Sequence, residues 1–316
     1  MSLTQHLHRP GALRSWWEVH SRGLQPYLGE LAALARRDVR LSRGEREHAA
    51  LVGGIVGRRI EVLTEPAPPY AALHAGGRRS DACWWPTHAA LLDTAEAAEA
   101  AEWRPTPDGW RRLVASADRG TWSPLLRDVA TAETTADDPA ELIEAAASIA
   151  ALEAAYRSGG PVVAASDEAI SDARRILGRL DTIPARLAEL CGGTLRGHAA
   201  PVLAPHWADG DVLVGPGRGG AYGLFDVKTV GAATLRTPER TLPWLWQLLS
   251  YAAADAAEDV WRIRAVGVLL PRQDAVLVWP VRELWQAAEA YSADIAQLTG
   301  ILRSAYHRDY LAAQRA

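Results

Sequence analysis

Lysine is almost absent from this chain. Of 34 basic residues Lys228 alone is a lysine, and all the others are arginine. Cysteine is nearly as scarce: Cys83 and Cys191 are the only two in 316 residues. That is too few for a disulfide framework, and they lack the paired spacing of a zinc site, so a reducing compartment is expected. No uncharged apolar run approaches the ~20 residues needed to cross a bilayer. The opening residues, MSLTQHLHRPGALRSWW, contain no apolar signal-peptide core. The expectation is a cytoplasmic protein with no membrane association. Through residue 160 there is also no nucleotide-binding loop, no zinc spacing and no repeat. The glycine-rich GPGRGG at 215–220 lacks the Gly-Lys-Ser/Thr ending of a phosphate-binding loop and reads as a turn.

What is present describes a globular chain. Hydrophobic residues make up 48% and charged residues 23%, which excludes a disordered protein, and the length suffices for two domains. The texture divides near residue 160. Residues 1–160 read as a mainly helical N-terminal domain whose role the sequence leaves open, a protein-partner surface being one reading. Residues 161–316 read as α/β (α+β), a mixed sheet core flanked by helices.

A net charge of −4 argues against a chain that coats nucleic acid non-specifically, but the charge is unevenly spread. Residues 1–80 carry 12 arginines against 7 carboxylates. The excess gathers at Arg36, Arg37, Arg40, Arg43 and Arg46, then Arg58-Arg59 and Arg78-Arg79. This run is either a phosphate-tracking, nucleic-acid-binding face or the solvated surface of an arginine-biased protein.

Leu24 to Arg37 has amphipathic helical spacing, and Ser42-x-x-Glu45 predicts a capping box opening another helix. Trp16-Trp17 is expected to pack this helical layer. Proline at Glu65 to Tyr70 and a turn-rich piece with Trp84-Trp85 interrupt it, before an Ala/Glu-rich helix at 87–103. Shorter helices are expected over 104–136. Asp138-Pro139-x-Glu141 starts a further helix, ended by Gly159-Gly160. Ser166 or Asp167 caps a long helix that Pro184 should kink and Gly192-Gly193 should close. Leu195 to Ala204 reads as a strand flanked by His198 and His206, both more often structural than ligands. The helix Pro243 to Ala257 carries Gln247 and Tyr251. Arg264 to Leu270 and Ala275 to Trp279 form a hairpin across a 271–274 turn, with helices to the end of the chain.

The chemistry concentrates between Asp211 and Tyr251. Val212 to Val214 and Tyr222 to Val227 read as a hairpin around GPGRGG. Asp211 opens its first strand and Asp226 lies near the end of its second. Asp226 and Lys228, two apart in a strand, share a face. If the strands pair through the turn, Asp211 lies beside Asp226, and two carboxylates meet an ammonium. Asp209 preserves the same face if the register slips by two. Mg²⁺ favours such oxygen clusters and takes one or two protein carboxylates, and Mn²⁺ is expected to substitute for it. A compact ammonium suits a charge developing on phosphate better than a guanidinium does.

Gly210-Asp211, Asp226-Val227-Lys228-Thr229, and Gln247 with Tyr251 resemble the D…DxK…QxxxY pattern of the PD-(D/E)XK nuclease superfamily, in its RecB-like branch. The resemblance covers roughly residues 167–281. It implies a restriction-endonuclease-like fold and a Mg²⁺-dependent deoxyribonuclease, a phosphodiesterase acting most readily on DNA in defence or repair. An RNA-directed nuclease and a catalytically silent binding or scaffold protein are its alternatives. By the resemblance Asp211, Asp226 and the Val227 carbonyl hold the metal, Lys228 steadies water and phosphate, and Gln247 and Tyr251 position the lysine or the strand. It also implies an acidic or histidine ligand on a preceding helix. No position matches this clearly, and Glu189 and Asp181 are the candidates.

Overall fold

The structure is a computed structural model describing residues 2–44, 46–64, 165–199, 201–204, 207–216, 220–256 and 261–314, with Asp259 and scattered positions between 140 and 150. Expectations placed on 65–139, on Gly159 to Pro161 and on His206 lie outside the described residues. Helices α1 (Leu3–His8), α2 (Ala12–His20), α3 (Gln25–Ala33) and α4 (Arg46–Thr64) open the chain, with 3₁₀ turns at Arg22–Leu24 and Leu34–Arg37. The described positions within 140–150 are helical. Then come α5 (Asp167–Leu177), α6 (Thr182–Leu190), β1 (Gly197–Ala199), β2 (Val202–Ala204), β3 (Ala208–Asp209), β4 (Val212–Val214) and β5 (Tyr222–Val227). The chain ends with α7 (Ala232–Leu235), α8 (Pro238–Ala256), β6 (Ile263–Leu270), β7 (Ala275–Pro280), α9 (Val281–Ala287) and α10 (Ser292–Gln314).

The fold is mixed α/β. Its central sheet has the order β1-β4-β5-β6-β7, and β2 pairs only with β3 in a separate ribbon. β5 runs parallel to β6, with α7 and α8 as the crossover, while the other neighbours in this sheet are antiparallel. Alternation along the strands sends side chains into two cores. Leu213, Leu224, Val266, Val268 and Leu270 pack on one face with α1, α2, α3, α8, α9 and α10. Val212, Val214, Phe225 and Leu269 pack on the other with α4, α5, α6 and Ile143, Ala146, Ala147 and Ala150. Gly267, in the middle of β6, makes room for the chain's single phenylalanine: a Cβ there would lie 2.5 Å from the Phe225 ring.

The helices at the start of the chain share these cores. Trp17 is fully buried, stacks on Trp246 and Trp285 at 6.3 and 5.9 Å, and donates its indole N–H to Ser250 Oγ at 3.1 Å. Trp16 and Trp17 therefore pack, as expected. Asp38 fastens the following segment to the crossover. It accepts from Ala232 N at 3.0 Å and Gln273 Nε2 at 3.2 Å, and lies 2.8 Å from Arg272 Nε.

Three local expectations are corrected. The strand expected over Leu195 to Ala204 divides into β1 and β2, because Pro201 has no N–H to give a ladder. The long helix breaks after Gly178, ahead of Pro184. Asp274 accepts from the N–H groups of Asp181, Thr182 and Ile183 at 3.2, 2.8 and 3.1 Å and starts α6 afresh. Pro184 then falls in a first turn, where its missing N–H is not needed. Ser42 caps nothing. Its N–H and hydroxyl both go to Asp172, at 2.8 and 2.7 Å, and α4 starts at Arg46. In addition, α8 begins at Pro238 and runs through Pro243, five residues before its expected start.

Candidate metal centre

Register brings the two aspartates together. Val212 pairs with Phe225, Leu213 with Leu224 and Val214 with Gly223. One step further, Asp211 stands opposite Asp226 at the open end of the hairpin. Both fall on the face that carries Leu213 and Leu224, the face covered by α8. Asp211 accepts from the Val227 N–H at 2.6 Å, which fixes its carboxylate over the end of β5. Asp226 is buried, and its Oδ2 lies 2.5 Å from Lys228 Nζ. That contact is an ion pair without hydrogen-bond geometry, so Oδ2 is a buried oxygen that accepts no well-formed hydrogen bond. Lys228 keeps its main chain in the sheet by donating its N–H to Leu269 O at 2.9 Å.

The electrostatics of the pair are lopsided. Burial pushes the Asp211 carboxyl well above the usual carboxylate range. The Asp226 charge and a hydrogen bond to that neighbouring carboxyl push it further, Lys228 pulls it back, and Glu61 adds a smaller push upward. Two close carboxylates share one ammonium, which pairs directly with Asp226 alone. A hard divalent cation with oxygen preference fits this donor set of Asp211, Asp226 and the adjacent Val227 carbonyl. Among the described residues no group of three His, Cys, Asp or Glu side chains converges to hold an ion, so the centre rests on two carboxylates.

Glu61 is the acid the sequence reading missed. It stands one turn before the end of α4, which packs against β1 and β4. Gly197 lets the helix end press in: a Cβ there would meet Leu213 O at 2.0 Å and Thr64 Cγ2 at 2.7 Å. Buried Arg58 holds Glu61 at 3.1 Å. The available signal was a carboxylate between Ile60 and Val62, three residues after Arg58 on a helix that buries both apolar and polar side chains. Glu189 is not brought to the site. It is exposed, bonds Arg186 at 2.6 Å, and belongs to α6, which packs on β7 at the far edge of the sheet. Asp181 is exposed too, with its N–H on Asp274.

Gln247 and Tyr251 do meet. Both are buried, and Gln247 Nε2 donates to Tyr251 Oη at 2.8 Å. The α8 residue that reaches the lysine is Trp244, one turn earlier, whose ring centre lies 5.9 Å from Lys228 Nζ. His198 is buried between Tyr222 and Trp261, at 5.9 and 5.4 Å, and so packs. Arg36, Arg37, Arg40, Arg43 and Arg46 are exposed, and Arg43 pairs with Glu168 at 2.8 Å. Asp209 lies in β3, one strand removed from the hairpin. Compared with known protein families, with curated proteins and with solved structures, the chain matches none.

Proposed function

We propose that this chain is a metal-dependent nuclease of PD-(D/E)XK type, with a restriction-endonuclease-like core, hydrolysing phosphodiester bonds most readily in DNA. The observation that carries this reading is the pairing register that sets Asp211 opposite Asp226, with Lys228 Nζ 2.5 Å from Asp226. Asp211, Asp226 and the Val227 carbonyl would hold Mg²⁺ or Mn²⁺. Such an ion supplies Lewis-acid polarisation of the phosphate and a water of lowered pKa. The chain's own residues do the rest. The Val227 N–H orients Asp211. Asp226 and the Trp244 face hold the Lys228 ammonium in place, where it offsets negative charge developing on the phosphoryl oxygens and orients the attacking water. Gln247 and Tyr251 brace the same helix behind Trp244.

The second reading is a nuclease-fold protein that binds without turnover. The two-carboxylate donor set and the engagement of Glu61 by Arg58 favour it. Incubating the protein with labelled single- and double-stranded DNA and RNA, in Mg²⁺, Mn²⁺ or EDTA, decides between them. Cleavage that requires the cation and disappears in Asp226→Ala supports hydrolysis. Binding without cleavage under all conditions supports the silent alternative, and cleavage of RNA alone corrects the substrate.

A further inference from the structure

We infer that Arg36, Arg37 and Arg40, together with Arg236 and Arg240, form one surface that grips the phosphate backbone of a nucleic acid beside the Asp211–Asp226–Lys228 site. This rests on the proposed function for its position, though not for its own test. The two groups of arginines are distant in sequence and adjacent in the fold. The 3₁₀ turn Leu34–Arg37 packs directly on α7, and Asp38 accepts from the N–H of Ala232, the first residue of α7, at 3.0 Å. Arg236 follows the last residue of α7, and Arg240 lies in the first turn of α8.

Charge on this surface is left uncancelled. Asp38, the acid inside the first run, lies 2.8 Å from Arg272 Nε, a guanidinium that is itself buried. Glu239 is the one other carboxylate within 34–40 and 232–240, and it is exposed. Among the described residues none of the five arginines forms an ion pair, whereas Arg14, Arg43, Arg175 and Arg186 each have a carboxylate partner. A solvated, arginine-biased surface explains exposure, but not why both runs are pinned together around an acid already neutralised from below. An exposed guanidinium without a carboxylate has its full fork of donors available to phosphate.

Position supplies the rest. Four peptide units separate Lys228 from Ala232, which spans at most about 14 Å. At about 3.4 Å of rise per nucleotide, that is roughly four nucleotides of one strand. Ala232, on which the first run is pinned, thus lies within a few nucleotides' length of Lys228, and the work assigned to these arginines is to seat the nucleic acid beside that residue.

The test measures binding to a labelled 20-nucleotide duplex, the matching single strand and the same sequence as RNA, in EDTA, across a salt series. Each arginine that neutralises a duplex phosphate contributes about 0.9 to the slope of log K against log salt. Arg36→Gln/Arg37→Gln/Arg40→Gln should flatten the duplex slope by up to about 2.7, and Arg236→Gln/Arg240→Gln by up to about 1.8, with the combined variant additive. Arg303→Gln/Arg308→Gln on α10 should leave it unchanged, and the melting curves of all variants should superpose. Slopes unmoved by both arginine sets overturn the inference. So does an equal effect from the α10 control, or arginine-dependent binding to anionic vesicles in place of nucleic acid. Flattened slopes in a protein that never cleaves with Mg²⁺ sustain this surface and sink the hydrolase reading. Cleavage with unmoved slopes does the reverse.

Discussion

Two buried carboxylate clusters in this molecule are solved in opposite ways. At Asp172 on α5, one carboxylate accepts from the Ser42 N–H and hydroxyl, bonds His48 at 2.8 Å, and meets Arg175 at 2.5 Å. Burial would raise its pKa, but those bonds and the Arg175 charge outweigh it and hold the group below the usual range. At Asp211 burial acts the same way, and the charge beside it is another carboxylate, so the shift goes up. One cluster is electrostatically complete and staples α5 to α4 and the residues before it. The other is left unfinished, with one ammonium for two acids. Completed networks hold structure, while a buried carboxylate raised by burial and by a like-charged neighbour is what the proposed metal site requires.

The sharpest break of this comparison is Lys228→Met. If the second cluster is catalytic, cleavage should fall by about 10³-fold or more, the scale of losing one preorganised charge at a transition state. Because Lys228 is only about a fifth exposed and is the ion-pair partner of buried Asp226, the variant should also lose stability, so cleavage is compared below its own melting temperature, where the protein is folded. Lys228→Arg should be severely impaired as well, since a planar fork cannot replace a compact ammonium beside two carboxylates. Single-turnover cleavage at the wild-type rate in Lys228→Met would falsify the catalytic assignment.

The structural cluster should fail in the other currency. Asp172→Ala leaves His48, Ser42 and Arg175 without their shared acceptor, and should cost about 3 kcal/mol of stability by urea denaturation. Its pH dependence has a fixed sign. The folded-state pKa of Asp172 is lowered, so its contribution is present above the unfolded value and is lost as pH falls through the folded one. Wild type should therefore lose stability on acidification more steeply than the variant. Parallel pH profiles would remove Asp172 from the comparison.

Asp211→Asn tests the converse. A raised folded-state pKa means the folded chain holds that proton more tightly. The associated stability is complete below the unfolded value of 3.8 and is lost as pH rises through the folded value. In EDTA near neutral pH the variant should therefore melt higher than wild type, by roughly 2–4 °C per kcal/mol of repulsion relieved. Mg²⁺ should raise the melting temperature of wild type, more so at higher pH because bound carboxylates must be ionised, and leave Asp211→Asn unmoved. A variant that melts lower in EDTA shows that the ionised Asp211 carboxylate stabilises the fold as it stands, and overturns the repulsion argued here.

Legibility followed sequence distance. The hairpin, its register and the Asp211–Asp226–Lys228 grouping were readable because period-2 alternation and a glycine-rich turn act within about twenty residues. The mixed sheet and the Trp16-Trp17 packing were equally local signals. What failed was long-range. Nothing near Ser42 announces Asp172, and nothing near Asp181 announces that Asp274 will start a new helix there. Glu61 acts on Asp211 only as a weak, distant charge, and a strand glycine that lets α4 press against β1 brings it that near. Trp244 was hidden by ordinariness: a tryptophan on an apolar helix face reads as core until Lys228 is found over its ring.

That tryptophan gives the smallest and most discriminating effect. Lys228 Nζ is held from two sides, by Asp226 at 2.5 Å and by the Trp244 ring at 5.9 Å. A cation–π contact contributes about 0.5–2 kcal/mol, depending on how dry it is. Trp244→Leu keeps an apolar side chain on the α8 face and removes the π surface, so it should lower single-turnover cleavage by about 2- to 30-fold, the rate equivalent of that range. Trp244→Phe should recover part of the loss, because a smaller ring still presents a negative face. Nucleic-acid affinity and its salt slope should stay at wild-type values in both, since neither change touches an exposed arginine. If Leu and Phe are equally impaired, Trp244 acts through packing volume alone. If neither is impaired, Asp226 by itself suffices to place the ammonium, and α8 contributes only the wall of the site.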